Sequence, residues 1–204
     1  MKNQVLYIHG GESYKSSDDF YERLLSKEVR DLPSNKHFSK WTKKFAENLG
    51  SDYELFMPQM PNAENAKYRE WKIWFERHFQ YLNNGVILVG CSLGGMFLLK
   101  YFGESKTPFT VKALFILAAA TSELGFDVED CGDFVPEVSL LGEIGNKVGS
   151  VKILHSKDDF LVPYAHALVL QKAISLSELI TFEDKNHFII EEFLELVEEI
   201  RGVG

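Results

Sequence analysis

Six short apolar runs, set apart by segments with helical spacing, organise this chain of 204 residues. Runs at 5–9, 53–57, 86–89, 112–118, 151–155 and 179–182 predict strands. At 86–89 the residues are Val86, Ile87, Leu88 and Val89, apolar without alternation. That pattern predicts a strand buried on both faces, as a parallel sheet requires. Between the runs, apolar residues return every three or four positions. Helices are predicted over 18–29, 37–49, 67–82, 96–102, 164–176 and 188–201. Tyr68, Trp71, Trp74, Phe75 and Phe79 form an aromatic stripe on the third of these, read as core packing. Strands alternating with helices predict α/β architecture: one domain over 1–204, doubly wound, with a mostly parallel six-stranded sheet flanked by helices.

Two segments resist the pattern. Residues 12–36 are charged and weakly periodic, and are read as a lid-like insertion or a solvated surface insertion. Residues 121–149 are acidic and glycine-containing, and are read as a small cap shaping a pocket or as a solvated loop.

Composition narrows the class. The chain is 45% hydrophobic and 25% charged, ordinary for a globular domain with one core. Net charge is −8, from 22 Lys and Arg against 30 Asp and Glu, with no basic stripe to neutralise phosphates. No nucleic-acid partner is expected. The start of the chain carries no apolar region of signal-peptide length, and no run is long enough to span a membrane. Cys91 and Cys131 make no disulfide framework, so a cytoplasmic setting is expected.

Chemistry enters at the third apolar run. It leads into Gly90-Cys91-Ser92-Leu93-Gly94, and a helical pattern follows. G-x-S-x-G alone arises by chance in roughly one chain of this size in fifteen. Placed between a strand and a helix, it describes a nucleophile elbow with Ser92 at a strained apex. The competing reading is a glycine-rich turn with a capping serine. Two more polar candidates follow strand ends, the pair Asp158/Asp159 and His187, and the chain order is Ser…Asp…His. A serine hydroxyl needs a base to take its proton, here His187. The base needs a buried carboxylate on its other nitrogen, here Asp159. The Leu93 N–H and an N–H of the loop after the first strand, best Gly11, are the candidate oxyanion hole. Cys91 is the weaker candidate nucleophile, expected to point into the sheet region. His9, His155 and His187 with Asp159 could imitate a metal site, but no metal-binding spacing supports it; no cofactor or metal is expected. His9 and His155 read as satisfied structural histidines.

The chain resembles the α/β-hydrolases, in particular the small serine hydrolases related to retinoblastoma-binding protein 9. The matching pieces are Met60-Pro61-Asn62, Gly90-Cys91-Ser92-Leu93-Gly94, the run from Ser156 to Pro163, and Asn186-His187-Phe188. The resemblance implies that the second aspartate of the pair, Asp159, is the triad acid, with Asp158 a surface or turn-capping residue. The loop His9-Gly10-Gly11-Glu12 departs from the Pro-Gly-Asn-Gly-Gly common in that family and is closer to the His-Gly opening of esterases. The function expected is a serine hydrolase cleaving a small ester, thioester or amide through an acyl-enzyme. Its partner is a small-molecule acyl substrate, with no membrane partner and no protein partner indicated. The alternative is a catalytically weak or inactive protein-binding module on the same fold.

Overall fold

Apolar side chains that alternate direction along a strand can feed two cores at once, and the strands of this protein do so. The computed structural model describes residues 2–27, 40–121 and 131–203. Within them lie β1 (Asn3–Ile8), β2 (Tyr53–Phe56), β3 (Val86–Cys91), β4 (Val111–Leu117), β5 (Val151–Ser156) and β6 (Glu178–Phe182). They form one sheet in the order β2-β1-β3-β4-β5-β6, with every pairing parallel. Leu6, Ile8, Leu88, Leu114 and Ile116 face one core. Val5, Tyr7, Ile87, Val89, Phe115 and Leu117 face the other. The edge strands β2 and β6 are only partly covered, whereas β3 is buried over its first five residues.

The first core is closed by α3 (Tyr68–Arg77), α4 (Leu93–Glu104), α5 (Val138–Leu141) and α6 (Ala165–Ala173). The second is closed by α2 (Phe45–Leu49) and α7 (Leu194–Gly202). The expected stripe on α3 is largely core: Trp71 and Phe75 are fully buried and pack edge-on against Phe97 of α4. α1 (Ser17–Ser26) buries none of its residues.

Strand order decides where a site can form. The chain leaves β1 toward β2 on one side, then returns to place β3 on the other. The loops after β1 and β3 therefore diverge and leave a crevice at the strands' C-terminal ends. Ile8 is level with Gly90 in the sheet, so the Gly10-Gly11 turn and Ser92 arrive side by side.

Three helix expectations are corrected. The segment 37–49 is in part outside the described residues; its described part is a 3-10 turn (Trp41–Lys43) followed by α2. The Trp41 N–H bonds Ile190 O at 2.9 Å, a tertiary partner in place of a preceding turn. The segment 67–82 is α-helical only to Arg77 and ends in a 3-10 turn (Phe79–Tyr81), as the His78 N–H bonds Phe75 O at 3.0 Å. The segment 188–201 is helical only from Leu194. Its start cannot be helix because Phe188 has φ 55°, and its ring stacks on Phe193 with centroids 4.8 Å apart.

The two irregular segments meet at a bridge between Ser13 and Cys131. Residues 131–149 bury Phe134, Leu141 and Ile144, and Asp133 Oδ1 accepts the Tyr68 N–H that opens α3. Residues 28–39 and 122–130, with the parts of the expected lid and cap that fall there, lie outside the described residues. Among the described residues no helix is long and apolar enough to cross a membrane.

Candidate active site

The turn from β3 into α4 is built by glycines. A Cβ on Gly90 would sit 2.5 Å from Gly94 O, and one on Gly94 would run into the carbonyl oxygens of Ile8 and His9. Close approach of α4 to β1 and β3 therefore excludes side chains at both positions. Gly94→Ala is expected to cost about 1–3 kcal/mol through overpacking. Thermal denaturation checks it, and an unchanged Tm contradicts this packing.

That tight turn holds Ser92 at φ 54°, ψ −121°, a conformation costly for a residue with a side chain. Its N–H continues the sheet by bonding Leu117 O at 2.8 Å, and its carbonyl accepts the Gly95 and Met96 N–H groups. Ser92 occupies the N-cap position of α4, yet its side chain makes no capping bond. This separates the two sequence readings: the hydroxyl is not spent on the helix.

The Gly10-Gly11 turn lies directly against this apex. A Cβ on Gly10 would be 3.1 Å from Ser92 Cβ, and one on Gly11 would be 2.5 Å from Ala63 O. His9 pins the turn. Its Nε2 accepts the Met60 N–H at 2.9 Å, so Nδ1 carries the proton and donates to Gly10 O at 2.6 Å. Glu12 on the far side donates its N–H to Ala63 O at 2.8 Å. Both ring nitrogens of His9 are thus satisfied, as a structural histidine requires.

β5 and β6 deliver the acid and the base. Asp159 has no exposed side-chain surface. Its Oδ1 accepts the Leu161 and Val162 N–H groups, each at 2.9 Å. Its Oδ2 lies 2.8 Å from His187 Nδ1. A carboxylate only accepts, so His187 Nδ1 carries the proton and Nε2 is the nitrogen left for a proton from the cleft. Burial pushes the Asp159 carboxyl up, but hydrogen bonds from His155, His187 and the Val162 N–H outweigh it and hold the group well below the usual carboxylate range.

Ser92, His187, Gly10 and Gly11 line one cleft of about 740 Å³, together with Tyr7, Trp41, Met57, Leu161, Phe188 and Ile189 among others. No hydrogen bond joins Ser92 Oγ to His187. The acid–base half of the expected triad is hydrogen-bonded, and the serine faces the same space. Catalytic hydrogen bonds are often long in unliganded sites and tighten with substrate. Leu93 opens α4, where backbone N–H groups lack helical partners and favour negative charge.

Cys91 also lines the cleft, as does Tyr7. Burial pushes the Cys91 thiol up to about 12, so at neutral pH it lacks the thiolate a cysteine nucleophile needs. Among the described residues no group of three His, Cys, Asp or Glu side chains is placed to hold a metal ion.

Two features escape sequence reading. Asp158 is exposed, yet it staples the β5 turn to the histidine loop. Its Oδ1 accepts the Ser156 hydroxyl at 2.5 Å and the Asn186 N–H at 2.8 Å. Ser156 Oγ in turn accepts the Lys185 N–H at 2.9 Å. The staple holds a strained stretch, with Asn186 at φ 41° and Phe188 at φ 55° on either side of His187. Asp158→Ala is expected to cost about 1–2 kcal/mol, and Asp158→Asn, which keeps an acceptor, much less. Equal Tm values for the two variants contradict the staple. The second feature is His155, which is not fully satisfied: its Nδ1 is buried without a hydrogen-bond partner among the described residues.

No family model and no curated protein matches the sequence. Solved structures do match its fold. The ydeN gene product of B. subtilis superposes with a TM-score of 0.69 at 16% identity, covering 99% of this chain and 98% of that one. An esterase domain from a Rhodothermus marinus protein gives 0.62 at 18% identity, covering 99% and 88%. MGS-MChE2, an alpha/beta hydrolase from the metagenome of Mar Chica lagoon sediments, gives 0.63 at 16% identity, covering 99% and 90%. At these identities the likeness is one of fold, and the chain has the α/β-hydrolase fold.

Proposed function

We propose that this protein is a serine hydrolase that cleaves a small ester, thioester or amide through an acyl-enzyme on Ser92. The observation that carries the reading is the elbow itself. Ser92 is held in a strained conformation with its hydroxyl unspent, facing a cleft shared with a histidine whose far nitrogen is held by a buried carboxylate. Backbone strain of this kind persists where a function repays it.

In this reading Ser92 Oγ attacks the substrate carbonyl carbon while its proton passes to His187 Nε2. Asp159 stabilises the imidazolium that results. Negative charge on the former carbonyl oxygen is met by the Leu93 and Gly11 N–H groups. His187 then protonates the leaving alcohol, thiol or amine as its bond to the carbonyl carbon breaks. Water, deprotonated by the same imidazole, attacks the acyl-enzyme and frees Ser92. The cleft volume suits a small acyl substrate. Likeness to structures described as an esterase domain and an alpha/beta hydrolase supports the class. The resemblance of the motifs from Ser156 to Pro163 and Asn186 to Phe188 to those of the small serine hydrolases related to retinoblastoma-binding protein 9 supports a reading near them within that class.

The second reading, a binding module with little turnover, draws on one observation: Ser92 and His187 are not hydrogen-bonded. Intact-protein mass spectrometry during reaction with p-nitrophenyl acetate separates the two. An acetyl adduct on Ser92 with a burst of p-nitrophenol is expected. No adduct, and no turnover of short-chain p-nitrophenyl esters, thioesters or anilides, favours the binding module.

A further inference from the structure

His155 lies at the end of β5, four residues before Asp159, with no exposed side-chain surface. Its Nε2 is 2.8 Å from Val162 O and 3.4 Å from Asp159 Oδ2. A carbonyl oxygen only accepts, so Nε2 carries a proton and points it between two acceptors of the same turn. The other nitrogen, Nδ1, is buried without a partner among the described residues. A buried unpaired nitrogen is unfavourable, and an apolar side chain of similar size would avoid that cost. The ring's neighbours leave the orphan unexplained: Tyr164 packs edge-on at 5.9 Å, and His166 takes the Thr121 N–H on its own Nδ1 at 3.0 Å.

What Nε2 does is specific. Asp159 Oδ1 is filled by two backbone N–H groups, and Oδ2 has His187 on one side. His155 faces the remaining side of Oδ2 and ties it to the Val162 carbonyl. We infer that His155 is a positioning residue that braces the 159–162 turn, fixing the rotation of the Asp159 carboxylate so that Oδ2 holds His187 in its Nδ1–H tautomer. The inference rests on the triad reading above for its kinetic consequence, but not for its structural one.

With His155 replaced by leucine, the carboxylate is held at Oδ1 alone, Oδ2 can swing, and His187 is freer to exchange tautomers. Small misplacements of this kind cost about a hundredfold in rate. The loss falls on kcat, with KM little changed, because nothing that touches the substrate is removed. His155→Gln extends an amide N–H to about the position of Nε2, whereas His155→Asn reaches only as far as Nδ1.

The test combines steady-state kinetics on p-nitrophenyl acetate with side-chain ¹⁵N NMR of His187 in the native protein and the three variants. The native protein is expected to show His187 as the Nδ1–H tautomer. Leucine and asparagine are expected to give mixed tautomers and a kcat about a hundredfold lower, and glutamine to restore both readouts most of the way. Should the leucine variant fail to fold, the glutamine–asparagine contrast carries the same comparison. A native His187 in the other tautomer overturns the inference. So do variants that all keep the Nδ1–H form, or glutamine and asparagine behaving alike. A native protein with the expected tautomer but no turnover overturns the proposed function and leaves the brace to be judged on the NMR of the variants alone.

Discussion

Ser92→Ala and His187→Ala are each expected to lower kcat on the order of a million-fold, and the double variant to lose little more. In the proposed mechanism the two groups act as one device. Without the imidazole, the Ser92 hydroxyl keeps its proton at neutral pH; without the hydroxyl, the imidazole has nothing in place to activate. The alanine variants keep the fold, because Ser92 is held by its backbone: its N–H on Leu117 O and its carbonyl under the first turn of α4. KM changes far less than kcat, since the rest of the cleft is untouched. Steady-state kinetics with circular dichroism measures both. Losses that add across the double variant contradict a shared step.

Asp159→Asn is expected to give the second large effect, lowering kcat about 10⁴-fold. The substitution keeps shape and hydrogen-bonding reach but turns an acceptor into a donor. An amide N–H placed at Oδ2 meets His187 Nδ1 as an acceptor, which puts the imidazole proton on Nε2. That is the nitrogen that has to be bare to receive the Ser92 proton. The same variant has a pH signature in stability. The Asp159 carboxyl is held below its ordinary value in the folded protein, against the upward push of burial, by His155, His187 and the Val162 N–H. A depressed carboxyl stabilises the fold at pH above its unfolded value of about 3.9 and loses that contribution as pH falls toward the folded value. The native protein is therefore expected to be the more stable of the two at neutral pH. Its Tm advantage over Asp159→Asn narrows as pH drops below about 4. A gap that stays constant from pH 7 to pH 3 contradicts a charged, hydrogen-bonded Asp159.

Much of this geometry is legible in residue order. The unbroken run Val86 to Val89 marks the central buried strand, and the structure places it between β1 and β4. Gly90 and Gly94 read as close-approach positions, and each faces carbonyl oxygens where a side chain would clash. Asp159, the aspartate that the resemblance singles out, lies against His187, and Asp158 does not. Helix ends are less legible, because tertiary contacts set them. Residues 188–193 carry apolar spacing that suits a helix, yet the Asn186 side chain takes the Ile189 N–H and Phe188 turns to positive φ. The supporting hydrogen bonds are legible least. Asp158 reaches a backbone N–H twenty-eight positions away, and His155 reaches from the end of β5 into a turn whose geometry no local pattern reports. The first depends on how β5 and β6 lie in register, a property of the sheet as a whole.

If the proposed mechanism holds, Ser92 is an activated nucleophile. Labelling with a fluorophosphonate probe, followed by peptide mass spectrometry, tests it most directly. The expected result is a single adduct on Ser92 in the native protein, absent in Ser92→Ala and strongly reduced in His187→Ala and Asp159→Asn. A native protein that does not label, or labels equally in all four forms, contradicts the account and leaves the fold as a binding scaffold.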